Sequence, residues 1–302
     1  MILKKISLVL IAALVLCMAF GGCSASPKIT PVAGEFNAKV DIGGRSLFLS
    51  CHGTGSPTVI FEGNDGENVD TFTPNLLDIS SFAHVCAYNR ANLKGSDPAP
   101  RPRSTQDMVD DLRALIDTAQ LPGPYILVGH QIGAWNTLVF AKQFPKEVAG
   151  LVLVEPLHSE EFTRALAALP AETSSEEIKL RNCRAILEKS NTDTDPSSFM
   201  TYEFINFPES LAQVKEITSL GDLPLTVITT QGFYKFGLWG FQCSKDFASI
   251  LDPLHQQNNK EFLNLSSQSK EIVTEYADVS NIFTDWSSEV TTAVKEMVDA
   301  AK

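Results

Sequence analysis

From residue 36 onwards, short apolar runs alternate with segments in which apolar residues recur every three or four positions. An uninterrupted apolar run of this length is typical of a strand that is buried on both faces of a parallel sheet. The predicted strands are Asn37–Ile42, Ser46–Cys51, Pro57–Glu62, His84–Tyr88, Tyr125–Gly129, Gly150–Glu155, Leu223–Thr229 and Glu271–Glu275. Their alternation with helices predicts a doubly wound, mostly parallel α/β sheet.

Two of the predicted helices have clear boundaries. Ser104–Gln120 begins with a capping box, because Ser104 is followed three positions later by Asp107. The last helix, about Ser287–Ala301, repeats the amphipathic spacing. Residues 159–220 interrupt the alternation, since they contain no clear strand and are rich in Glu, Ser and Ala. They predict a helical cap inserted over one end of the sheet.

The N-terminal segment predicts export. Lys4 and Lys5 precede an apolar run from Ile6 to Phe20, which is short for a membrane span but suits a signal peptide. Gly21 and Gly22 then precede Cys23. This order resembles a bacterial lipoprotein signal, which implies cleavage after residue 22, a lipid on Cys23 and an extracytoplasmic protein anchored to the membrane. An ordinary signal peptide or an uncleaved anchor remains an alternative.

The rest of the chain is predicted to comprise a tether at residues 23–36 and one domain at residues 37–302. The tether is polar and rich in Ser, Pro and Gly. The net charge of −12 disfavours a nucleic-acid binder with a basic face and gives no attraction to a membrane beyond the lipid. We therefore expect no nucleic-acid partner. We also expect a monomer, with a small molecule as a possible ligand.

Four cysteines remain after the signal and the lipidation site. They are Cys51, Cys86, Cys183 and Cys243. An even number in an oxidising compartment predicts disulfides, with three possible pairings, although four buried thiols are the alternative.

The strand–turn–helix at residues 124–144 carries the most specific motif. Its turn, Gly129-His130-Gln131-Ile132-Gly133, has the Gly-x-x-x-Gly frame of a nucleophile elbow, in which the glycines avoid clashes between the neighbouring strand and helix. Three further motifs precede this turn along the chain. They are Tyr88-Asn89-Arg90-Ala91-Asn92, Gly95-Ser96-Asp97-Pro98 and Arg101-Pro102-Arg103. Over about residues 38–301 the chain resembles the α/β-hydrolase superfamily.

That resemblance implies an eight-stranded α/β-hydrolase sheet with a cap, but the catalytic triad departs from the family pattern. Gln131 occupies the nucleophile position, and a carboxamide has no ionisable oxygen or sulfur. No histidine follows His255, and the resemblance places Ser280 where the family's base belongs. Glu155 matches the position of an alternative family acid. We therefore predict no catalytic residue among these degenerate triad positions.

The family's oxyanion hole consists of backbone N–H groups, which persist without the triad. In this chain they would belong to Ile132 and to the loop at Gly63 and Asn64. Together with Gln131, these residues are the predicted binding site for a small apolar, carbonyl or carboxylate ligand. Aromatic residues near the cap either line this pocket or pack the cap onto the core. They are Phe199, Phe204, Phe207, Phe233, Phe236 and Trp239.

The leading hypothesis is thus a non-catalytic, lipid-anchored protein with a hydrolase fold. The alternatives are an ester or amide hydrolase that uses a non-standard group such as His130, and a surface interaction scaffold. No cluster has metal-ligand spacing, so neither a metal nor another cofactor is predicted. The family's strand order also implies a disulfide between Cys51 and Cys86, which would leave Cys183 to pair with Cys243.

Overall fold

The computed structural model describes residues 31–171, 178–192, 202–232, 240–274, 282–285 and 287–302. The predicted signal, Cys23 and Ser280 lie outside these residues, so their roles stay predictions. Within the described part, no helix combines the length and apolar character that crossing a bilayer requires.

Eight strands form one sheet in the order β1–β2–β4–β3–β5–β6–β7–β8. The strands are β1 (Phe36–Asp41), β2 (Ser46–His52), β3 (Thr58–Glu62), β4 (His84–Asn89), β5 (Tyr125–His130), β6 (Val148–Val154), β7 (Leu225–Thr230) and β8 (Ser269–Thr274). β2 pairs antiparallel with β1 and β4, and all other pairs are parallel. The predicted eight-stranded, mostly parallel sheet is confirmed, and each strand lies within two residues of its predicted bounds.

Helices cover both faces of this sheet. They are α1 (Thr73–Ser80), α2 (Thr105–Ala119), α3 (Ile132–Gln143), α4 (Glu161–Ala168), α5 (Ile178–Thr192), α6 (Phe207–Lys215), α7 (Gly240–Phe262), α8 (Ile282–Asp285) and α9 (Ser287–Ala300). One apolar cluster joins the sheet to α1 and α9, and the other joins the opposite face to α2 and α3. The core therefore consists of two apolar layers separated by the sheet.

The beginning of α2 follows from its sequence. The Ser104 hydroxyl accepts a hydrogen bond from the Asp107 N–H at 3.3 Å, and the Asp107 carboxylate accepts one from the Ser104 N–H at 2.7 Å. The predicted capping box is therefore present. By contrast, every residue of α3 from Ile132 to Ala141 is buried, because this helix is enclosed on all sides.

The predicted cap region contains α4, α5 and α6 in its described part, between β6 and β7. The Phe207 ring packs edge-on against Trp135 of α3 at 5.8 Å and against Phe162 of α4 at 5.7 Å. Phe207 therefore packs α6 onto the core.

Among the other aromatic residues that the sequence singled out, Phe204 lies under the guanidinium of Arg101. Phe199 and the side chains of Phe233, Phe236 and Trp239 lie outside the described residues.

A disulfide joins β2 to β4. Cys51 and Cys86 are directly opposite each other in the antiparallel register, with 4.1 Å between their Cα atoms. The predicted Cys51–Cys86 bond is confirmed. Cys183 is also disulfide-bonded and buried. Because the side chain of Cys243 lies outside the described residues, the Cys183–Cys243 pairing stays a prediction.

Candidate functional site

The turn between β5 and α3 holds Gln131 in a strained conformation. Its φ of 47° and ψ of −106° lie in a region that costs about 1–3 kcal/mol for a residue with a side chain. A Cβ on Gly129 would lie 2.6 Å from the Ala134 Cα, and one on Gly133 would lie 2.1 Å from the Glu62 carbonyl oxygen. Only glycine fits at either position, so the turn has the geometry that the Gly-x-x-x-Gly frame predicts.

Gln131 is buried, with 3% of its surface exposed. Its backbone N–H donates to the Val154 carbonyl oxygen at 3.0 Å, which ties the turn to the end of β6. Its carboxamide makes no capping hydrogen bond to α3. The side chain can therefore donate to or accept from a ligand, but it cannot attack one.

A carboxylate from the loop after β3 reaches this turn. Both oxygens of Glu67 lie within hydrogen-bond distance of His130 Nδ1, at 2.9 and 3.0 Å. Glu67 Oε2 also accepts from the Asn64 N–H at 2.6 Å. Burial alone would raise the pKa of Glu67, but the neighbouring His130 outweighs this effect and the pKa is lowered. Glu67 is therefore an anion bound at this turn.

This anion changes the predicted oxyanion hole. The Asn64 N–H, one of the expected donors, already has an acceptor within the chain. Ile132 is the first residue of α3. Its N–H therefore has no acceptor within the helix, because the helix contains no carbonyl four residues before it. A ligand oxygen would therefore reach both donors only after displacing Glu67.

His130 is the second buried group at the turn, and 1% of its surface is exposed. Because Glu67 is an acceptor, His130 Nδ1 carries a proton. Nε2 is buried and has no hydrogen-bond partner in the described part of the protein. The His130 ring packs edge-on against Phe283 of α8 at 5.2 Å.

Glu155 follows β6 with a φ of 44° and pairs with His255 of α7. His255 Nε2 lies 3.1 Å from Glu155 Oε2, and His255 Nδ1 lies 2.9 Å from Glu161 Oε1. All three side chains are fully buried. Burial opposes the charge on His255, but the two carboxylates outweigh it and raise its pKa to about 10. His255 is therefore a cation with both nitrogens engaged, which cannot act as a general base near neutral pH.

Arg90 connects the loop after β3 to the cap region. Its guanidinium donates to Glu62 Oε2 at 3.1 Å and to Glu203 Oε2 at 2.7 Å. It also donates to the carbonyl oxygens of Gly63 and Asn64, at 2.6 and 2.7 Å. Arg90 was noted in the sequence only as part of a family motif. An arginine directly after a buried strand is the available signal, since such a charge needs buried partners.

One group of metal-ligating residues occurs among the described side chains. Atoms of Cys51, His84 and Cys86 lie within 4.8 Å of one another. Both sulfurs belong to the disulfide and are not thiolates. This group therefore cannot coordinate a metal while the disulfide is intact.

Two surface clefts are present elsewhere on the molecule. One, of about 240 Å³, contains His158, Arg164 and Lys215, and the other, of about 470 Å³, contains Lys142 and Asp222. Gln131 lines neither cleft. The candidate site is therefore the buried polar cluster at the turn.

A sequence model of the "alpha/beta hydrolase fold" family matches residues 47–176. The uncharacterized protein YqjL of Bacillus subtilis is 24% identical over 179 residues, which is 59% of this chain and 63% of that protein. The 2-(acetamidomethylene)succinate hydrolase of Mesorhizobium japonicum is 29% identical over 148 residues, or 49% of this chain and 52% of that enzyme. The chain thus spans less than two thirds of the length of both relatives.

Solved structures share the fold at low sequence identity. An enol-lactonase from Burkholderia xenovorans is 12% identical, with a TM-score of 0.60 over 86% of this chain and 99% of that one. A haloalkane dehalogenase loop variant from Bradyrhizobium elkanii is 14% identical, with a TM-score of 0.61 over 88% and 98%. These similarities and the strained turn between β5 and α3 show that the chain has the α/β-hydrolase fold.

Proposed function

We propose that this chain is a non-catalytic protein of the α/β-hydrolase fold that binds a small molecule at the turn around Gln131. The observation that carries the proposal is the carboxamide at the strained position where the family holds its nucleophile. No adjacent base can convert a carboxamide into an oxygen or sulfur nucleophile. The anion of Glu67 at the Asn64 N–H adds support, because it occupies a donor that a reacting carbonyl would need.

The state of the histidines adds a second argument. His255 lies next to the family's alternative acid, Glu155, but both of its nitrogens bond to carboxylates. A histidine in this state cannot take a proton from a nucleophile. The residue at the family's base position is Ser280, which lies outside the described residues.

One observation favours a second candidate, a hydrolase in which His130 activates a water molecule. His130 Nδ1 is oriented by Glu67, and Nε2 is buried without a partner among the described residues. A histidine held by a carboxylate is the usual form of a general base. The relative from Mesorhizobium japonicum is named as a hydrolase, which is a further reason to test this candidate.

We further propose that the chain is exported and anchored by a lipid on Cys23. The proposal rests on the sequence order of two lysines, an apolar run and two glycines before that cysteine. Cells grown with an alkyne analogue of palmitate should label the wild type and not Cys23→Ser. Equal labelling of both proteins would refute lipidation at this position.

Catalysis is tested on the purified full-length protein in detergent with a panel of p-nitrophenyl esters and anilides. The expected result is no saturable turnover, for the wild type and for Gln131→Ser alike, because the variant gains a hydroxyl but no base. Turnover that disappears in His130→Gln and survives in His52→Gln would refute the non-catalytic proposal and support the second candidate.

Binding is tested by a thermal-shift screen of small molecules. A true ligand at saturation should stabilise the fold by about 1 kcal/mol or more. Gln131→Ala should reduce this stabilisation, while the surface variant Glu216→Gln should not. A screen without any hit would favour an interaction scaffold over a binding protein.

A further inference from the structure

The disulfide between β2 and β4 has a histidine beside it. Cys51 and Cys86 are directly opposite each other in the antiparallel register. His84 precedes Cys86 by two residues on β4, so both side chains point to the same face of the sheet. As a result, His84 Nε2 lies 3.7 Å from Cys86 Sγ, and the ligand atoms of all three residues lie within 4.8 Å of one another. Each of these residues is buried.

Hydrogen bonds determine which nitrogen of His84 carries a proton. The Thr58 hydroxyl donates its single proton to the Pro122 carbonyl oxygen at 2.5 Å. The same hydroxyl lies 3.1 Å from His84 Nδ1, so it accepts there, and Nδ1 carries a proton. Burial lowers the pKa of His84, so the ring is neutral at pH 7. Its lone pair is therefore on Nε2, the nitrogen that faces Cys86.

This lone pair has a use only when the disulfide is broken. A sulfur atom in a disulfide carries no proton, so Cys86 cannot donate to Nε2 in the oxidised protein. After reduction, Nε2 stands beside two thiols. A histidine that binds a metal through one nitrogen usually donates its other N–H to a fixed acceptor. His84 already has this arrangement, because Nδ1 donates to Thr58.

The spacing of the three side chains agrees with a tetrahedral zinc ion. Zn–S bonds of about 2.3 Å and Zn–N bonds of about 2.0 Å place a sulfur and a nitrogen ligand about 3.6 Å apart. His84 Nε2 and Cys86 Sγ are 3.7 Å apart. Two thiolates on the same ion are about 3.8 Å apart, so the sulfurs of Cys51 and Cys86 need only separate once their bond is broken.

The cluster lies far from the turn around Gln131. His84 and Thr58 are the first residues of β4 and β3, whereas that turn follows the carboxyl end of β5. β2 is separated from the edge of the sheet only by β1. Residues 54–56, which follow β2, are exposed. Local opening of this edge, without global unfolding, would admit a small reductant.

We infer that reduction of the Cys51–Cys86 disulfide creates a zinc site composed of Cys51, His84 and Cys86. A dithiol supplies two electrons and two protons: the S–S bond breaks, the protein gains two thiols, and the dithiol becomes a disulfide. Binding of Zn²⁺ then releases both thiol protons to solvent and forms two Zn–S bonds and one bond to Nε2. Thiolate and imidazole are the usual ligands of zinc. The inference is independent of the proposed ligand at Gln131.

Zinc binding is measured on the full-length protein in detergent, before and after reduction. A phosphine is the reductant in this test, because it leaves two thiols and competes less for zinc than a dithiol does. Isothermal titration calorimetry with Zn²⁺ at pH 7 should detect one site in the reduced protein that the oxidised protein lacks. With Co²⁺ as the probe, a thiolate-to-cobalt absorption band should appear. Circular dichroism checks that the reduced protein is folded.

Two pairs of variants identify the ligands. His84→Phe should weaken zinc binding roughly a hundredfold or more, because it removes one of three ligands, and His52→Gln should not weaken it. Thr58→Val keeps the shape of the side chain but removes the acceptor of His84 Nδ1, so it should weaken binding about tenfold or more. Its matched control is Thr226→Val, since Thr226 is also buried in a strand and its hydroxyl has no partner in the described part of the protein.

The reductant also acts on Cys183, which is disulfide-bonded as well. Zinc binding should therefore survive Cys183→Ala. Binding that is lost in Cys183→Ala, that persists in His84→Phe, or that occurs in the oxidised protein would overturn the inference. So would a reduced protein that is unfolded or binds no zinc.

If His84→Phe does not fold, X-ray absorption of the reduced, zinc-loaded Cys183→Ala protein decides. Two sulfur atoms at about 2.3 Å and one imidazole nitrogen at about 2.0 Å would support the site. A ligand shell without the imidazole, or with a different number of sulfurs, would overturn it.

Discussion

His255 should make the stability of this protein fall as the pH rises above neutrality. Its pKa is raised from an ordinary 6.5 to about 10 because the carboxylates of Glu155 and Glu161 outweigh the effect of burial. A group whose pKa is higher in the folded state binds its proton more tightly there. The resulting stabilisation is complete below pH 6.5 and is lost as the pH rises towards 10.

The size of the effect follows from the linkage of protonation to folding. Each pH unit between the two pKa values removes about 1.4 kcal/mol, so the free energy of unfolding should fall by roughly 3 kcal/mol between pH 7 and pH 9. Urea unfolding monitored by tryptophan fluorescence measures this fall. Burial lowers the pKa of His84 and His158, so both are neutral above pH 7 and do not contribute to it.

The matched variants are His255→Gln, which removes the titrating group, and His52→Gln, which removes a half-buried histidine at the end of β2. The wild type and His52→Gln should show the full fall, and His255→Gln should show less than about 1 kcal/mol of it. NMR titration of the His255 ring gives the same pKa directly if His255→Gln does not fold. A flat pH profile for the wild type, or a His255 pKa near 6.5, would refute the reasoning.

Three further substitutions test other parts of the site. Gly133→Ala should lower the free energy of unfolding by about 3 kcal/mol or more, because its Cβ would lie 2.1 Å from the Glu62 carbonyl oxygen. Arg90→Met should cost about 3–5 kcal/mol in the same urea assay, since it leaves Glu62 and Glu203 buried without their cation. Burial and the charge of Glu203 raise the pKa of Asp65 from 3.8 to about 6. As the pH rises from 4 to 6, the free energy of unfolding of the wild type should therefore fall through the titration of Asp65, and that of Asp65→Asn should not show this fall.

Each of these predictions has a control or an outcome that contradicts it. Gly123→Ala places its Cβ 3.3 Å from the side chain of Tyr125 rather than from backbone, and should cost less than Gly133→Ala. Arg113→Met removes an arginine whose partners are largely exposed. If it destabilises as much as Arg90→Met, burial is not the cause. Parallel pH profiles of the wild type and Asp65→Asn would contradict the shifted pKa of Asp65.

The strands and the strained turn were predictable because their signals are local. β3 and β5 are continuous apolar runs, and the spacing of Gly129 and Gly133 specifies a tight turn whatever residue lies between them. The β2–β4 disulfide needed the family's strand order in addition, because Cys51 and Cys86 are 35 residues apart.

The polar network of the site could not be predicted from local patterns. Glu67 and His130 are 63 residues apart, Glu155 and His255 are 100 apart, and Arg90 and Glu203 are 113 apart. Each pair forms only because the sheet and α7 bring distant segments together. His255 has the sequence environment of an ordinary helical residue, so its two carboxylate partners leave no mark on the sequence around it.

The position of Glu67 has an electrostatic consequence for α3. A helix enclosed on all sides keeps the partial positive charge at its N-terminus away from water. Glu67 bonds to His130, two residues before this helix, and so adds a negative charge to the turn that precedes it. In an enzyme of this fold, such a dipole is reserved for the negative charge that develops in the transition state. Here Glu67 already stands next to this turn in the folded protein.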